Sequence, residues 1–187
     1  MNDIGISVEG ESDKKVLEEI IGKLGLDAYV DVILLPRAGG KTEQLKHLEK
    51  IIFGKLRNYR KVIILVDYDD SKEWENKFKT KTGDLKNKPG AKNKEIILHF
   101  ARQKIEAWLL GCYPKDILKD VASEDTDEVI DPVSLIENFE KKERNDKDFR
   151  YIKTADGKRI AERNELKHFR DSKSFREFEK ILKIINN

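Results

Sequence analysis

The residues best suited to chemistry in this chain are acids that directly follow runs of aliphatic residues. In Val62-Ile63-Ile64-Leu65-Val66-Asp67-Tyr68-Asp69-Asp70 an apolar, largely β-branched run stops at acids spaced Asp-x-Asp. Such a run reads as a strand buried on both faces. Acids at its carboxyl end add nothing to a core, and burying them unpaired is costly. Set together, they suit a hard divalent cation such as Mg²⁺. A second apolar run, Ile4-Gly5-Ile6-Ser7-Val8, ends in Glu9-Gly10-Glu11-Ser12-Asp13. By itself the Asp67 cluster reads as a polar turn capping the next helix. Glu9 shifts the reading, because it holds the matching place on another strand, and Glu9, Asp67 and Asp69 together predict one metal-dependent site. Asp13 either points back to that site or partners the dipole of a helix beginning at Ser12.

Positioning these acids requires strands that end along one edge. Apolar segments at 4–8, 30–35, 62–66 and 95–99 read as strands. Helical patterns alternate with them. Ser12 is the expected N-cap of a first helix with Val16, Leu17, Ile20, Ile21 and Leu24 on one face. A second helix is expected over 42–56, with Leu45, Leu48, Ile51 and Ile52 inward, and a weaker one over 71–78. Strand–helix alternation predicts an α/β fold with a parallel sheet of about four strands and right-handed crossovers. In such sheets ligands bind at the carboxyl edge. Residues 80–94, with Gly83, Pro89, Gly90 and many lysines, read as a basic loop. Beyond the fourth strand only helices are expected, over 103–111, 132–142, 157–169 and 174–185, with an acidic linker over 121–131. The expected organisation is an α/β core over 1–112 and a helical C-terminal extension over 113–187 that packs on it as one unit.

Three sets of residues read as anion contacts. Arg37-Ala38-Gly39-Gly40-Lys41-Thr42 opens a helix and resembles a P-loop, but the first P-loop glycine is replaced by Leu35, which argues against a nucleoside triphosphate site. What remains is a turn at Gly39, Gly40 and Lys41 able to hold a phosphate at a helix N-terminus, or an ordinary strand-to-helix turn. Lys86, Lys88 and Lys92 of the basic stretch read either as a solvated insertion or as contacts to a phosphate backbone. Lys153 and Arg159, with Arg150 and Lys158, form another basic group suited to line a substrate groove. His99 and Trp108 read as core or near-core residues.

The order apolar strand, Glu-Gly, helix, and later apolar strand, Asp-x-Asp, resembles the Toprim domain of topoisomerases, primases and nucleases of the overcoming-lysogenization-defect type. The resemblance implies that Glu9 is a general acid/base and that Asp67 and Asp69 hold Mg²⁺ (or Mn²⁺). The form Val8-Glu9-Gly10-Glu11-Ser12-Asp13 is similar to the nuclease branch, which implies a metal role for Asp13. A narrower resemblance rests on Ile105-Glu106-Ala107-Trp108-Leu109-Leu110, Tyr151-Ile152-Lys153-Thr154, Ile160-Ala161 and Ser172-Lys173-Ser174-Phe175-Arg176-Glu177-Phe178. These look like the Toprim-like proteins grouped as domain of unknown function 4276, over nearly the whole chain. Two residues depart from that pattern. Cys112 stands where an Asp often closes the Trp box, and Lys173 where a small residue or Pro is usual. Glu106 lies beside the apolar residues Ile105, Trp108 and Leu109, where a Glu is most often solvated. The resemblance implies instead a further metal ligand or a supporting acid.

Bulk properties narrow the function. The 187 residues carry a net charge of only +2, so composition alone does not announce nucleic acid. No segment reaches the roughly 18–20 apolar residues of a membrane span. Asp3 and Glu9 do not fit a signal peptide, so a cytoplasmic location is expected. Cys112 is the only cysteine and His47, His99 and His168 are scattered, which excludes an intrachain disulfide and a cysteine-rich zinc site. The expected function is Mg²⁺-dependent phosphodiester chemistry on DNA or RNA, most simply a nuclease. The resemblance implies a possible separate ATPase partner and a role in phage defence or DNA processing. The alternative is a non-catalytic Toprim-like module that binds nucleic acid or an ATPase.

Overall fold

The computed structural model describes residues 3–36, 40–68, 71–118 and 125–183. Its centre is a four-stranded, all-parallel sheet in the order β2-β1-β3-β4, formed by β1 (Ile4–Val8), β2 (Val30–Leu34), β3 (Lys61–Asp67) and β4 (Glu95–Ala101). The strands follow the apolar runs because both faces of the sheet are covered. Alternate residues feed two separate cores. Ile4, Ile6, Val8, Ile63 and Leu65 face one, and Val62, Ile64, Val66 and Ile96 face the other.

The first core is closed by α1 (Glu11–Lys23) and by the C-terminal half of the chain. The second is closed by α2 (Gly40–Lys50), the π-helical turn Ile51–Lys55 and α3 (Lys72–Lys86). From β1 the chain passes to β2, then crosses back beyond β1 to β3. The strand order therefore reverses between β1 and β3, where open α/β sheets form a crevice at their carboxyl edge. Glu9 follows β1 and Asp67 ends β3, so both stand at this switch point.

Several expected elements differ. Helix α1 starts at Glu11 with Gly10 as its N-cap, so Ser12 is not the cap. Asp13 takes over, its Oδ2 accepting the Gly10 N–H at 2.8 Å, as the third residue of a capping box does. A Cβ on Gly10 would lie 3.0 Å from that oxygen, which accounts for glycine after Glu9. The second helix gives way to the π turn after Lys50; Leu45 packs against the second core as expected, and Gln44 is buried beside it. The basic stretch over 80–94 is not a loop. Helix α3 runs through Gly83 to Lys86 because Phe78, Thr82 and Leu85 share one buried face, and tertiary burial outweighs the glycine. A 3₁₀ turn at Pro89–Ala91 then leads to β4.

Helix α4 covers only Ile105–Leu110, since Gln103 adopts φ 57°, outside the helical region. The helix expected over 132–142 is α5 (Pro132–Glu143). The segment 157–169 is broken into α6 (Lys158–Arg163) and α7 (Leu166–Phe169), preceded by a π turn at Lys153–Gly157. Helix α8 (Lys173–Lys183) follows, and within the acidic linker Thr126–Glu128 forms a 3₁₀ turn. Among the described residues no helix is long and apolar enough to cross a membrane.

Candidate functional site

At the switch point Glu9 joins the two central strands. Its Oε1 accepts the Asp67 N–H at 2.9 Å, and its Oε2 accepts Gln44 Nε2 at 3.3 Å. Lys41, one residue into α2, donates its ammonium to the Asp67 carbonyl at 2.8 Å. Gly40 before it has φ 61°, a left-handed conformation that a residue without Cβ adopts freely. Gly39 and Asp69 lie outside the described residues.

Asp13 and Glu106 approach from the first core. Both are buried, and Asp13 is 9% exposed while Glu106 is 3% exposed. Burial, the Glu106 charge and the Glu9 charge together push the Asp13 carboxyl up from 3.8 to about 6, against the opposing Gly10 N–H. Glu106 is therefore not the solvated acid its neighbours suggest. Helix α4 turns it inward, and Lys153 from the π turn meets it at 3.0 Å. Burial alone would lower the Lys153 ammonium, but Glu106, Asp67 and Asp13 hold it above its ordinary value. Glu9, Asp13, Asp67 and Glu106 thus form one electrostatic unit, with Lys41 and Lys153 among them.

The helix that carries Glu106 is tied down by a polar latch at Trp108. Trp108 is fully buried, and its Nε1 donates to Ser174 Oγ at 2.8 Å. Ser174 Oγ also accepts the Arg102 N–H and donates to Asp127 Oδ1 at 2.9 Å. Asp127 further accepts from the Ser172 hydroxyl and the Ser174 N–H. Phe175 and Phe178 pack on the Trp108 ring, and His99 reaches the Ser174 carbonyl at 2.9 Å. The Trp box and the Ser-x-Ser-Phe box are therefore the two halves of one joint. His99 and Trp108 are core residues, as expected.

Three participants were not legible as such. Gln44 sits in the apolar stripe of α2, and a polar residue in such a stripe is the signal for it. Asp127 hides among acids of a polar linker. Tyr151 buries its hydroxyl beside Glu106 and Asp13, and burial followed by the Glu106 charge raises its pKa. Among the described residues Gln44 Oε1 and the Tyr151 hydroxyl are buried and find no partner.

The expected anion contacts separate. Lys41 and Lys153 join the acids. Arg159 pairs with Asp156 and lines a recess with Tyr113, Glu140, Arg144 and Arg163. Lys86, Lys88 and Lys92 do not join the acids. Lys86 ends α3 and Lys88 and Lys92 follow it before β4, at the amino edge of the sheet, and Lys88 pairs with Glu49 at 2.5 Å. Cys112 is a free thiol whose pKa burial pushes up to about 12.

Carboxylate and amide oxygens are the donors that hard divalent cations take. The acids here meet that chemistry, and the orphaned Gln44 Oε1 adds a buried oxygen beside Glu9. Among the described residues no three His, Cys, Asp or Glu side chains are drawn together tightly enough to share one ion. The set therefore fits a cation in charge and donor type.

A family model described as Domain of unknown function (DUF4276) matches residues 8–183, and the chain belongs to that family. The matched span contains β2, β3 and β4, the acids and both halves of the Trp108–Ser174 joint. Nothing among curated proteins or solved structures matches the chain.

Proposed function

We propose that the chain is a Toprim-like, Mg²⁺- or Mn²⁺-dependent nuclease acting on DNA or RNA in the cytoplasm. One observation carries the reading: Glu9, Asp13, Asp67 and Glu106 converge at the sheet's switch point with Lys41 and Lys153 among them. Holding these carboxylates together raises Asp13 to about 6, and acids perturbed by burial and by one another cluster at functional sites. A divalent cation bound there supplies charge stabilisation to the attacking and leaving oxygens of a phosphodiester.

The chain's own residues perform the rest. Glu9, fixed by the Asp67 N–H and Gln44, is oriented to take a proton from water or return one to the leaving oxygen. Asp67, Asp13 and Glu106 would each contribute oxygens to one or more cations, with Asp69 two residues beyond the end of β3. Lys41 and Lys153 place positive charge where a phosphate would lie. By the resemblance, a separate ATPase protein is the expected partner and phage defence or DNA processing the expected setting.

A second reading has its own support. Lys153 already neutralises Glu106 at 3.0 Å, and both Glu9 oxygens are hydrogen-bonded. A site so satisfied also suits a non-catalytic module that binds nucleic acid or an ATPase. Cleavage of labelled DNA and RNA with and without Mn²⁺ separates the two. We expect divalent-dependent cutting that falls about 10²–10⁴-fold in Glu9→Gln, while Glu11→Gln, in the first turn of α1, keeps most of it. Equal activity in Glu9→Gln and the parent would overturn the mechanism. No cutting by the chain, alone or with an ATPase partner, favours the module.

A further inference from the structure

A recess of about 330 Å³ opens at the sheet edge opposite the acids, lined by Arg57, Asn58, Arg60, Lys92, Asn93 and Lys94 among others. No carboxylate lines it. Along α2, α3, α5 and α8, by contrast, basic side chains pair with acids on their own helix. Of the acids near it, Glu95 pairs with Lys61 at 3.4 Å and Asp31 accepts the Tyr59 hydroxyl, while Asp3, level with Arg60 by strand register, does not line the recess. Arg57, Arg60 and Lys92 are exposed, and no acid among the described residues pairs with them at the recess.

The floor of this recess is built. Lys94 spends its three ammonium hydrogens on the carbonyls of Leu56, Arg57 and Tyr59, at 3.0, 2.6 and 2.6 Å. That clamp fixes the turn between the π-helical segment and β3, and so fixes where Arg57 and Arg60 emerge. Like charges gathered on a rigid turn repel one another until an anion joins them. Guanidinium forks and an ammonium around a polar recess suit phosphate oxygens.

We propose that the Arg57–Arg60–Lys92 recess binds the phosphodiester backbone of a nucleic acid as an anchoring site separate from the acid cluster. The inference rests on the nucleic-acid reading above and deepens it. Arg60 precedes β3 and Asp67 ends it, so the two sites are about 23 Å apart at strand rise. A duplex must exceed about seven base pairs to touch both.

The test is binding in EDTA, where cleavage is silent. The probes are a fluorescent DNA duplex of about 25 base pairs and an RNA of equal length, titrated over a range of salt. Arg57→Ala/Arg60→Ala is expected to bind about tenfold more weakly at low salt, and the slope of log K against log salt to fall by about 1–2. Lys142→Ala/Lys147→Ala removes equal charge near the end of α5 and should leave the slope alone. Unchanged affinity and slope in the arginine variant, with cleavage intact in the parent, overturns the anchor and leaves the nuclease reading standing. Arginine-dependent binding by a protein that cuts nothing upholds the anchor and removes the nuclease. Displacement of the duplex by micromolar inorganic phosphate alone would mark a small-anion site and overturn the proposal. DNA and RNA bound equally is expected of backbone contacts, since these carry no base readout.

Discussion

Asp13 shows how single residues reveal the cost of the site. Its carboxyl is held at about 6 by burial, by Glu106 and by Glu9. The folded chain therefore binds the Asp13 proton more tightly than the unfolded chain does, whose value is 3.8. Stability contributed by this group is complete below pH 4 and is lost as pH rises through about 6. In EDTA, Asp13→Asn keeps an acceptor for the Gly10 N–H and discards the buried charge. We predict that it raises unfolding stability at pH 7 by about 1–3 kcal/mol and that the gain vanishes near pH 4. Urea denaturation at the two pH values measures this. A variant less stable than the parent at pH 7 would show that the carboxylate is structural. Glu9 and Asp67 were legible because each acid directly follows an apolar run. Glu106 was legible only through the resemblance of its Ile-Glu-Ala-Trp box, because its neighbours Ile105 and Trp108 indicate the apolar face without indicating that Lys153 waits there as a counter-ion.

At the scale of elements, the Trp108–Ser174–Asp127 joint ties α4 to α8 and to the 3₁₀ turn at Thr126–Glu128. Ser174→Ala leaves Trp108 Nε1 without its acceptor and removes a donor from Asp127. The expected loss is about 1–3 kcal/mol, because buried polar groups are orphaned and not merely a bond lost. Thermal unfolding checks it, and a change within error would mean that the network relaxes around the gap. All four strands were readable, since runs such as Val62-Ile63-Ile64-Leu65-Val66 are buried on both faces and bounded by polar residues. Helix α3 was misread beyond Phe78. Gly83 and the surrounding lysines look like a loop until the second core claims Thr82 and Leu85. The start of α1 was misplaced for a related reason. Ser12 has the better cap chemistry, but the capping contact comes from Asp13 reaching back to Gly10. The latch itself was invisible because its acid, Asp127, and its serines lie 47 residues apart in one case. Only the tertiary fold brings them together.

For the whole molecule, the sheet order β2-β1-β3-β4 explains why the acids meet. Reversal of direction between β1 and β3 opens the crevice beside which Glu9 and Asp67 stand. A cation that binds only the folded chain stabilises it by mass action, by about 2.7 kcal/mol at a hundredfold excess over Kd. We expect millimolar Mg²⁺ or Mn²⁺ to raise the melting temperature, and the rise to shrink in Asp67→Asn. An equal rise in that variant would place the bound ion elsewhere. The most direct measurement is anomalous diffraction from crystals soaked in Mn²⁺. The account predicts one or two anomalous peaks about 2.0–2.3 Å from carboxylate oxygens of Glu9, Asp13, Asp67 or Glu106, with Lys153 drawn away from Glu106. Peaks confined to surface carboxylates, or a featureless map around an unbroken Lys153–Glu106 pair, would contradict it.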